Sequence, residues 1–291
     1  MKVSGFTFIK NAVLFQYPIV EAVQSILPLC DEVVVAVGDC NDGTRELVAS
    51  IHPTKIRIID TVWDNQLKEG GRVLAAETDK AFKAIDPSSD WCIYIQGDEV
   101  MHEDGHEEVY KAMQQWKDVK DVDGLLFKYL HFYGSFDYVG ISSNWYRNEI
   151  RVIKNDRSIF SYRDAQGFRK GDNQKLNVKP LNATIYHYGW VREPKAMQAK
   201  QNNFIKYYHN LVPDQDEEKT YSGEFDYSKI DALQKFTGKH PAVMQHRINA
   251  ANWKFDYDLS YNKIKLKDRF KNLLEKITGK RPFDHNNFKI V

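Results

Sequence analysis

Residues 90–99 read Asp-Trp-Cys-Ile-Tyr-Ile-Gln-Gly-Asp-Glu. Trp91–Ile95 is a short, unbroken apolar run, the pattern of a strand buried on both faces. It stops at Gln96-Gly97 and delivers Asp98 and Glu99 onto its carboxyl tip. Upstream, Val3–Ile9 and Glu32–Val37 read as two more strands, and Lys55–Asp60 as a third. Helical patterns separate them. Pro18–Leu27 has proline in its first turn, Asp42-Gly43-Thr44 opens a helix through Ser50, and Gly71–Ile85 places Val73, Leu74, Ala81 and Ile85 on one side. Strands alternating with helices predict right-handed crossovers and a parallel sheet. Ligands of such sheets bind at the carboxyl ends of the strands. Those ends read Lys10-Asn11, Gly38–Asp42, Asp60 and Gln96–Glu99. Polar turns follow strands in any case, but acidic clusters converging in a neutral protein point to a cation or a hydroxyl-rich ligand.

Downstream the pattern is less regular. Gly124–Tyr133 is strand-like, Glu149–Lys154 and Ser158–Tyr162 suggest a hairpin around Asn155-Asp156, and Thr184–His187 is another strand. From Pro194 to about Lys280 the pattern is mostly helical, interrupted by a polar loop over 212–226. The expected division is a domain over 1–210 and a mainly helical extension over 211–291.

Composition narrows the function. The 291 residues carry 41 Lys and Arg against 40 Asp and Glu, so a basic field for nucleic acid is missing. Aromatic residues at 13% exclude intrinsic disorder. The three cysteines, Cys30, Cys40 and Cys92, form no CxxC pair, which excludes a cysteine-rich zinc site and favours a reducing compartment. No apolar run is long enough to span a membrane, and Val3–Ile9 lacks a cleavage site after it. A cytoplasmic location is expected.

The strand and acidic pair at 90–99 resemble the inverting family 2 glycosyltransferases of the GT-A fold, whose pattern here is a strand followed by Asp-x-Asp. SGFTFIKN at 4–11, EAVQSILPLCDE at 21–32, the strand Val33–Val37 with Asp42-Gly43-Thr44, and Ile185-Tyr-His-Tyr-Gly-Trp-Val191 resemble further motifs of that family, in its order. Residues 200–291 carry little of the likeness. Gln96 stands where the family has its first Asp, and Val37 or Gly38 where an Asp often ends the second strand. The resemblance implies an α/β GT-A-like, Rossmann-type sandwich with a mostly parallel central sheet, a nucleotide-diphosphate sugar donor and inversion at the anomeric carbon. It also implies a glycan or lipid-linked acceptor and a divalent cation, Mn²⁺ or Mg²⁺. Asp98 would hold metal and diphosphate, with His187 as second ligand. Asp164 or Glu99 would be the general base. Thr7, Asp39, Asp42, Arg72, Gln96 and Asp98 would form the nucleotide-sugar pocket. The alternative is a domain that binds nucleotide sugars without turnover.

Two further segments have their own readings. His102-Glu-Asp-Gly-His106 matches the H-E-x-x-H zinc protease signature. That chemistry needs both histidines on one stable helix, and Gly105 argues against it. Lys263–Arg281 holds eight Lys and Arg against Asp268 and Glu275, with Phe270, Leu273, Leu274 and Ile277 at helical spacing. It reads as a terminal helix packed on the core, or as a basic amphipathic helix lying on an anionic membrane.

Overall fold

The computed structural model describes all residues except 65, 68, 206, 209–221, 267, 268, 272, 273, 275, 276 and 278–285. The apolar runs of the first half become the middle of the sheet. In order come β1 (Val3–Ile9), α1 (Ile19–Ile26), β2 (Glu32–Gly38), α2 (Thr44–Ala49), β3 (Ile56–Thr61), α3 (Arg72–Ala84) and β4 (Trp91–Tyr94). Next are β5 (Glu99–Met101), α4 (His106–Trp116), β6 (Gly124–Tyr133), β7 (Tyr138–Gly140), β8 (Asn148–Lys154), β9 (Ile159–Tyr162), β10 (Gly167–Lys170) and β11 (Gln174–Lys175). The chain ends with β12 (Asn177–Trp190), α5 (Pro194–Ile205), β13 (Leu233–Lys235), α6 (Gln245–Ala250) and β14 (Lys289–Ile290).

Strands β3, β2, β1 and β4 lie side by side and run parallel. Beyond β4 the sheet is mixed: β8 is antiparallel to β4 and β6, while β12 is parallel to β6. Alternate residues of β2 explain its unbroken apolar run. Val33, Val35 and Val37 pack with Ile19, Val23 and Ile26 of α1 and Val109 and Met113 of α4. Val34 and Ala36 join Val73, Leu74 and Phe82 of α3 on the other face. A strand covered on both faces has no polar side. The chain order reverses between β1 and β4, because β3 lies at one edge and the crossover through α3 returns to the far side of β1. That makes the carboxyl ends of β1 and β4 the switch point where α/β sheets form a crevice.

Three expectations change. The hairpin around Asn155-Asp156 does not form: β8 already has partners on both edges, so β9 pairs with β10 in a separate sheet of three strands. The segment 222–265 is less helical than its pattern predicts. Its described structure includes β13, the six-residue α6, 3₁₀ turns and much irregular backbone. The expected boundary at 210 lies outside the described residues, and after it the chain returns to the main sheet, β13 on β7 and β14 on β12. Of the basic segment, Leu266, Phe270 and Ile277 are exposed, while 267, 268, 272, 273, 275, 276 and 278–281 lie outside the described residues.

Candidate active site

A cavity of about 310 Å³ opens at the switch point. Phe8 and Ile9 of β1 and Lys10 just after it line the cavity, and the segment after β4 contributes Gln96, Gly97 and Asp98. Asp164, His187, Gly189 and Lys200 are further members of its polar wall, and Tyr17, Trp63, Tyr146, Phe204 and Tyr208 belong to its aromatic one. Of the residues expected from sequence, Gln96, Asp98, Asp164 and His187 therefore meet in one place. Thr7, Asp39, Asp42, Arg72 and Glu99 do not line the cavity.

The reasons differ by residue. Thr7 is fully buried in β1. Asp39 meets the cavity through its neighbours, Lys10 with Nζ at 2.8 Å and the Trp63 amide at 3.5 Å. Asp42 folds back to accept from the Leu14 amide and the Thr44 hydroxyl, forming the turn before α2. Arg72 is exposed and faces Glu69 at 3.7 Å. Glu99 is fully buried, and both oxygens are taken. Oε1 accepts from Arg151 Nη2 at 2.6 Å and from Tyr129 at 2.8 Å, and Oε2 accepts from Arg151 Nε at 2.7 Å and the Gln96 amide at 3.1 Å. A carboxylate so saturated has no lone pair left for a substrate proton.

That network holds Asp164. Arg151 Nη1 donates to the Gln166 carbonyl at 2.9 Å, and Gln96 Nε2 donates to the Ala165 carbonyl at 3.0 Å. The turn between β9 and β10 is thereby clamped with Arg163 and Ala165 at φ 57° and 64°. Left-handed backbone on two non-glycine residues costs energy, and such strain collects at functional sites. Asp164 stands between them, half-buried, and accepts from Tyr208 at 3.1 Å. An Asp at position 96 would have no N–H to give Ala165, which accounts for glutamine there. An acidic side chain at position 38, at the end of β2, would not fit: a Cβ on Gly38 would lie 2.5 Å from Trp63 Nε1, so the indole covers that position.

Asp98 sits in a cluster of charge. Lys200 Nζ donates to its Oδ2 at 3.0 Å and to the Gly189 carbonyl at 2.9 Å. Burial works against ionisation of Asp98, but Lys200, His187 and Arg192 outweigh it and hold the carboxyl well below the usual range. Burial and Arg192 bring Lys200 down to about 8, against the pull of Asp98, so it stays charged at neutral pH. His187 Nε2 faces Asp98 Oδ1 at 3.8 Å. Gly189 is required: a Cβ there would come within 2.6 Å of that imidazole nitrogen.

The histidine tautomers follow from their bonds. His131 Nε2 donates to the Tyr146 carbonyl at 2.9 Å, and its Nδ1 lies 3.2 Å from His187 Nδ1. Burial pushes both imidazoles toward neutrality; at His187 the carboxylates of Asp98 and Glu99 oppose it, without overcoming it. A neutral His131 must then accept at Nδ1, so His187 donates there and turns an Nε2 lone pair toward Asp98. Asp98 Oδ1 and His187 Nε2 are thus two donors of the type and spacing that fit one divalent cation. Among the described residues no group of three or more His, Cys, Asp and Glu side chains could hold a metal, so the remaining ligands of such an ion would be water or substrate oxygens.

The H-E-x-x-H geometry is not built. His102 ends the preceding extended segment and accepts the Asp104 amide, whereas α4 begins at His106, whose Nε2 donates to the Ser25 carbonyl at 2.8 Å. The two imidazoles serve different backbone partners. Sequence reading missed Lys200, Arg151 and the aromatic wall. Each cation left a signal: Lys200 lies three residues after Met197 and four before Phe204 on the inner face of α5, and Arg151 interrupts the apolar run of β8.

No family model matches the chain, and no curated protein matches it. Solved structures do overlap it. TarS of S. aureus shares 13% identity over 70% of this chain and 39% of its own, at a TM-score of 0.41. The 4-diphosphocytidyl-2C-methyl-D-erythritol synthase of Anaerococcus prevotii shares 12% over 71% and 95%, at 0.38. Glucosyl-3-phosphoglycerate synthase of Mycobacterium tuberculosis, solved with Mn²⁺, UDP and phosphoglyceric acid, shares 16% over 45% and 43%, at 0.29. This chain thus spans well under half of the TarS chain. Likeness at this level establishes no family, and the functional reading below stands on the site.

Proposed function

We propose that the protein is a glycosyltransferase that moves a sugar from a nucleotide-diphosphate donor to a hydroxyl acceptor with inversion. The observation that supports this most is Asp164, presented on a clamped and strained turn into the same cavity that holds Asp98. In this reading Asp164 accepts the proton of the acceptor hydroxyl as its oxygen bonds the anomeric carbon. The bond to the diphosphate breaks on the opposite face and its electron pair leaves with the phosphate. Tyr17, Trp63, Phe204 and Tyr208 offer apolar faces for the nucleoside. A divalent cation held by Asp98 and His187 would place positive charge against the departing diphosphate.

A second cavity of about 460 Å³ shares Tyr146 and Gln166 with the first and is lined further by Asn148, Glu149, Arg163 and Asn287. Its polar wall suits a glycan acceptor. For a lipid-linked acceptor, the basic 263–281 segment would supply contact with an anionic bilayer. No helix among the described residues is long and apolar enough to cross a membrane.

The test is a thermal-shift screen of UDP, GDP, CDP, ADP and dTDP with and without Mn²⁺, followed by donor hydrolysis with the sugar conjugate of the binder. At ~100 Kd a ligand of the native state adds about 2.7 kcal/mol of stability. Stabilisation by one diphosphate together with slow donor hydrolysis supports a transferase. Stabilisation without any hydrolysis or transfer would leave a binding domain, and no stabilisation by any nucleotide would end the reading.

A further inference from the structure

Lys200 raises a question that the donor-site reading leaves open: what a buried ammonium does on the oxygen of a metal-binding carboxylate. It is 7% exposed, and its Nζ lies over the rings of Tyr17 and Phe204 at 5.0 and 5.7 Å. Two of its three N–H groups are bonded, to Asp98 and Gly189, and it lines the cavity, so one donor is left for a ligand. Behind it lies Arg192, 2% exposed, its guanidinium 4.8 Å from the centre of the same Tyr17 ring. Arg192 donates to the Phe15 and Gly189 carbonyls, and its Nη2 has no acceptor among the described residues. Lys200 and Arg192 both act on Asp98 as positive charges, and His187 presents Nε2 to its Oδ1 at 3.8 Å.

Of these two buried cations only Lys200 bonds Asp98, and Arg192 stands behind it on backbone carbonyls, so the three groups together carry a surplus of one positive charge. A buried charge without a counter-ion is costly. A divalent ion arriving alone at Asp98 and His187 would raise the surplus to three. The two negative charges of a sugar-linked diphosphate would return it to one, and its oxygens would supply the ligands the protein lacks. Lys200 keeps one N–H that neither Asp98 nor Gly189 takes, which a phosphate oxygen in the cavity would accept.

We propose that Lys200 is an internal counter-cation, holding Asp98 in the free protein and turning to the diphosphate in the complex, so that the divalent ion and the nucleotide bind cooperatively and the ion alone binds poorly. This rests on the donor-site reading above. It differs from a preformed metal centre, which would fill without substrate.

The experiment measures Mn²⁺ affinity of the full chain by calorimetry and by the electron paramagnetic resonance signal of free Mn²⁺. It is run with no nucleotide and then with saturating UDP, GDP, CDP, ADP or dTDP. One nucleotide should tighten Mn²⁺ binding by about tenfold or more, within the usual range of coupling between sites. By reciprocity Mn²⁺ should tighten that nucleotide by the same factor. Lys200→Met should bind Mn²⁺ more tightly than wild type in the absence of nucleotide, and its coupling should shrink. Lys200→Arg, which keeps the charge and guards against a folding defect in Lys200→Met, should behave as wild type. Equal Mn²⁺ affinity with and without a nucleotide that does bind overturns the proposal alone, as does a well-folded Lys200→Met that takes up Mn²⁺ no better. No binding by any nucleotide in either buffer overturns the donor site as well.

Discussion

Asp164 and Glu99 are both carboxylates near the tip of β4, and their surroundings assign them different work. Glu99 is spent on Arg151, Tyr129 and a backbone amide. Asp164 has one hydroxyl partner and a cavity in front of it. Asp164→Asn is expected to lower kcat by about 10²–10⁴ while the dissociation constant of the nucleotide stays near wild type, as read by calorimetry beside single-turnover kinetics. An equal loss in binding and turnover would make Asp164 a donor contact and not a base. At position 96 the expectation runs against simple motif repair. Gln96→Asp restores the acidic pair of the family pattern but removes the donor to Ala165. Activity should therefore fall in a full kinetic comparison, and a gain would show that charge at 96 matters more than the clamp.

At the scale of elements, the β9–β10 turn is strained locally and held from a distance. Glu99 on β5 orients Arg151 on β8, and Arg151 holds the carbonyl of Gln166. The guanidinium lies between the rings of Tyr94 and Tyr129 at 5.2 and 5.1 Å, so it is enclosed as well as paired. Removing one partner of a buried ion pair leaves the other uncompensated, at a cost of about 3–5 kcal/mol. Arg151→Met should show a loss of that order in urea unfolding, with Glu99 orphaned. The double variant Arg151→Met with Glu99→Gln should recover much of it, since an apolar or neutral pair avoids the desolvation of charge. A double variant no more stable than the single one would mean the pair is not the source of the loss.

For the whole molecule, the last residues are part of the main core. Phe288 packs with Phe168, Leu176 and Val178, and the Lys289 amide donates to the Leu176 carbonyl at 2.9 Å. Phe288→Ala should cost about 3–5 kcal/mol, the usual range for a buried phenylalanine, measured by denaturant unfolding. A change near zero would mean that this terminal strand adds nothing to the global fold. Stability should also depend on pH through Glu149. Burial raises its carboxyl from 4.5 to about 7, with Arg151 and Arg169 opposing and Glu99 reinforcing the rise. The folded state then keeps a proton that the unfolded chain has released. Its contribution is present in full below about 4.5 and is lost as pH rises through 7, on the order of 3 kcal/mol. The buried His131, His187 and His240 titrate in the opposite sense, since each is held below its ordinary value. The Glu149 share is therefore read from the difference between wild type and Glu149→Gln. Wild type should lose stability relative to the variant between pH 5 and 7.5, and parallel curves would refute the assignment.

What the sequence determined by itself is what depends on neighbours along the chain. A run such as Trp91–Ile95 or Val33–Val37 has no polar face to show solvent, so it must be a covered strand, and the spacing of four strands with helices between them already implies parallel order. The carboxyl-end rule then points to Asp98, whereas His187 is singled out only by the resemblance of Ile185–Val191 to a family motif. Tertiary structure alone decided which polar groups face the cavity. Asp39, Asp42 and Glu99 carry the same chemistry as Asp164 in one dimension, yet three are absorbed by partners 28 to 52 residues away, Lys10 and Leu14 and Arg151. Lys200 comes 102 residues after Asp98, and nothing in α5 reveals that its ammonium crosses to that carboxylate. Long-range pairing of charge is set by how packed elements place side chains in three dimensions. Strand periodicity, in contrast, is a property of adjacent residues and can be read directly.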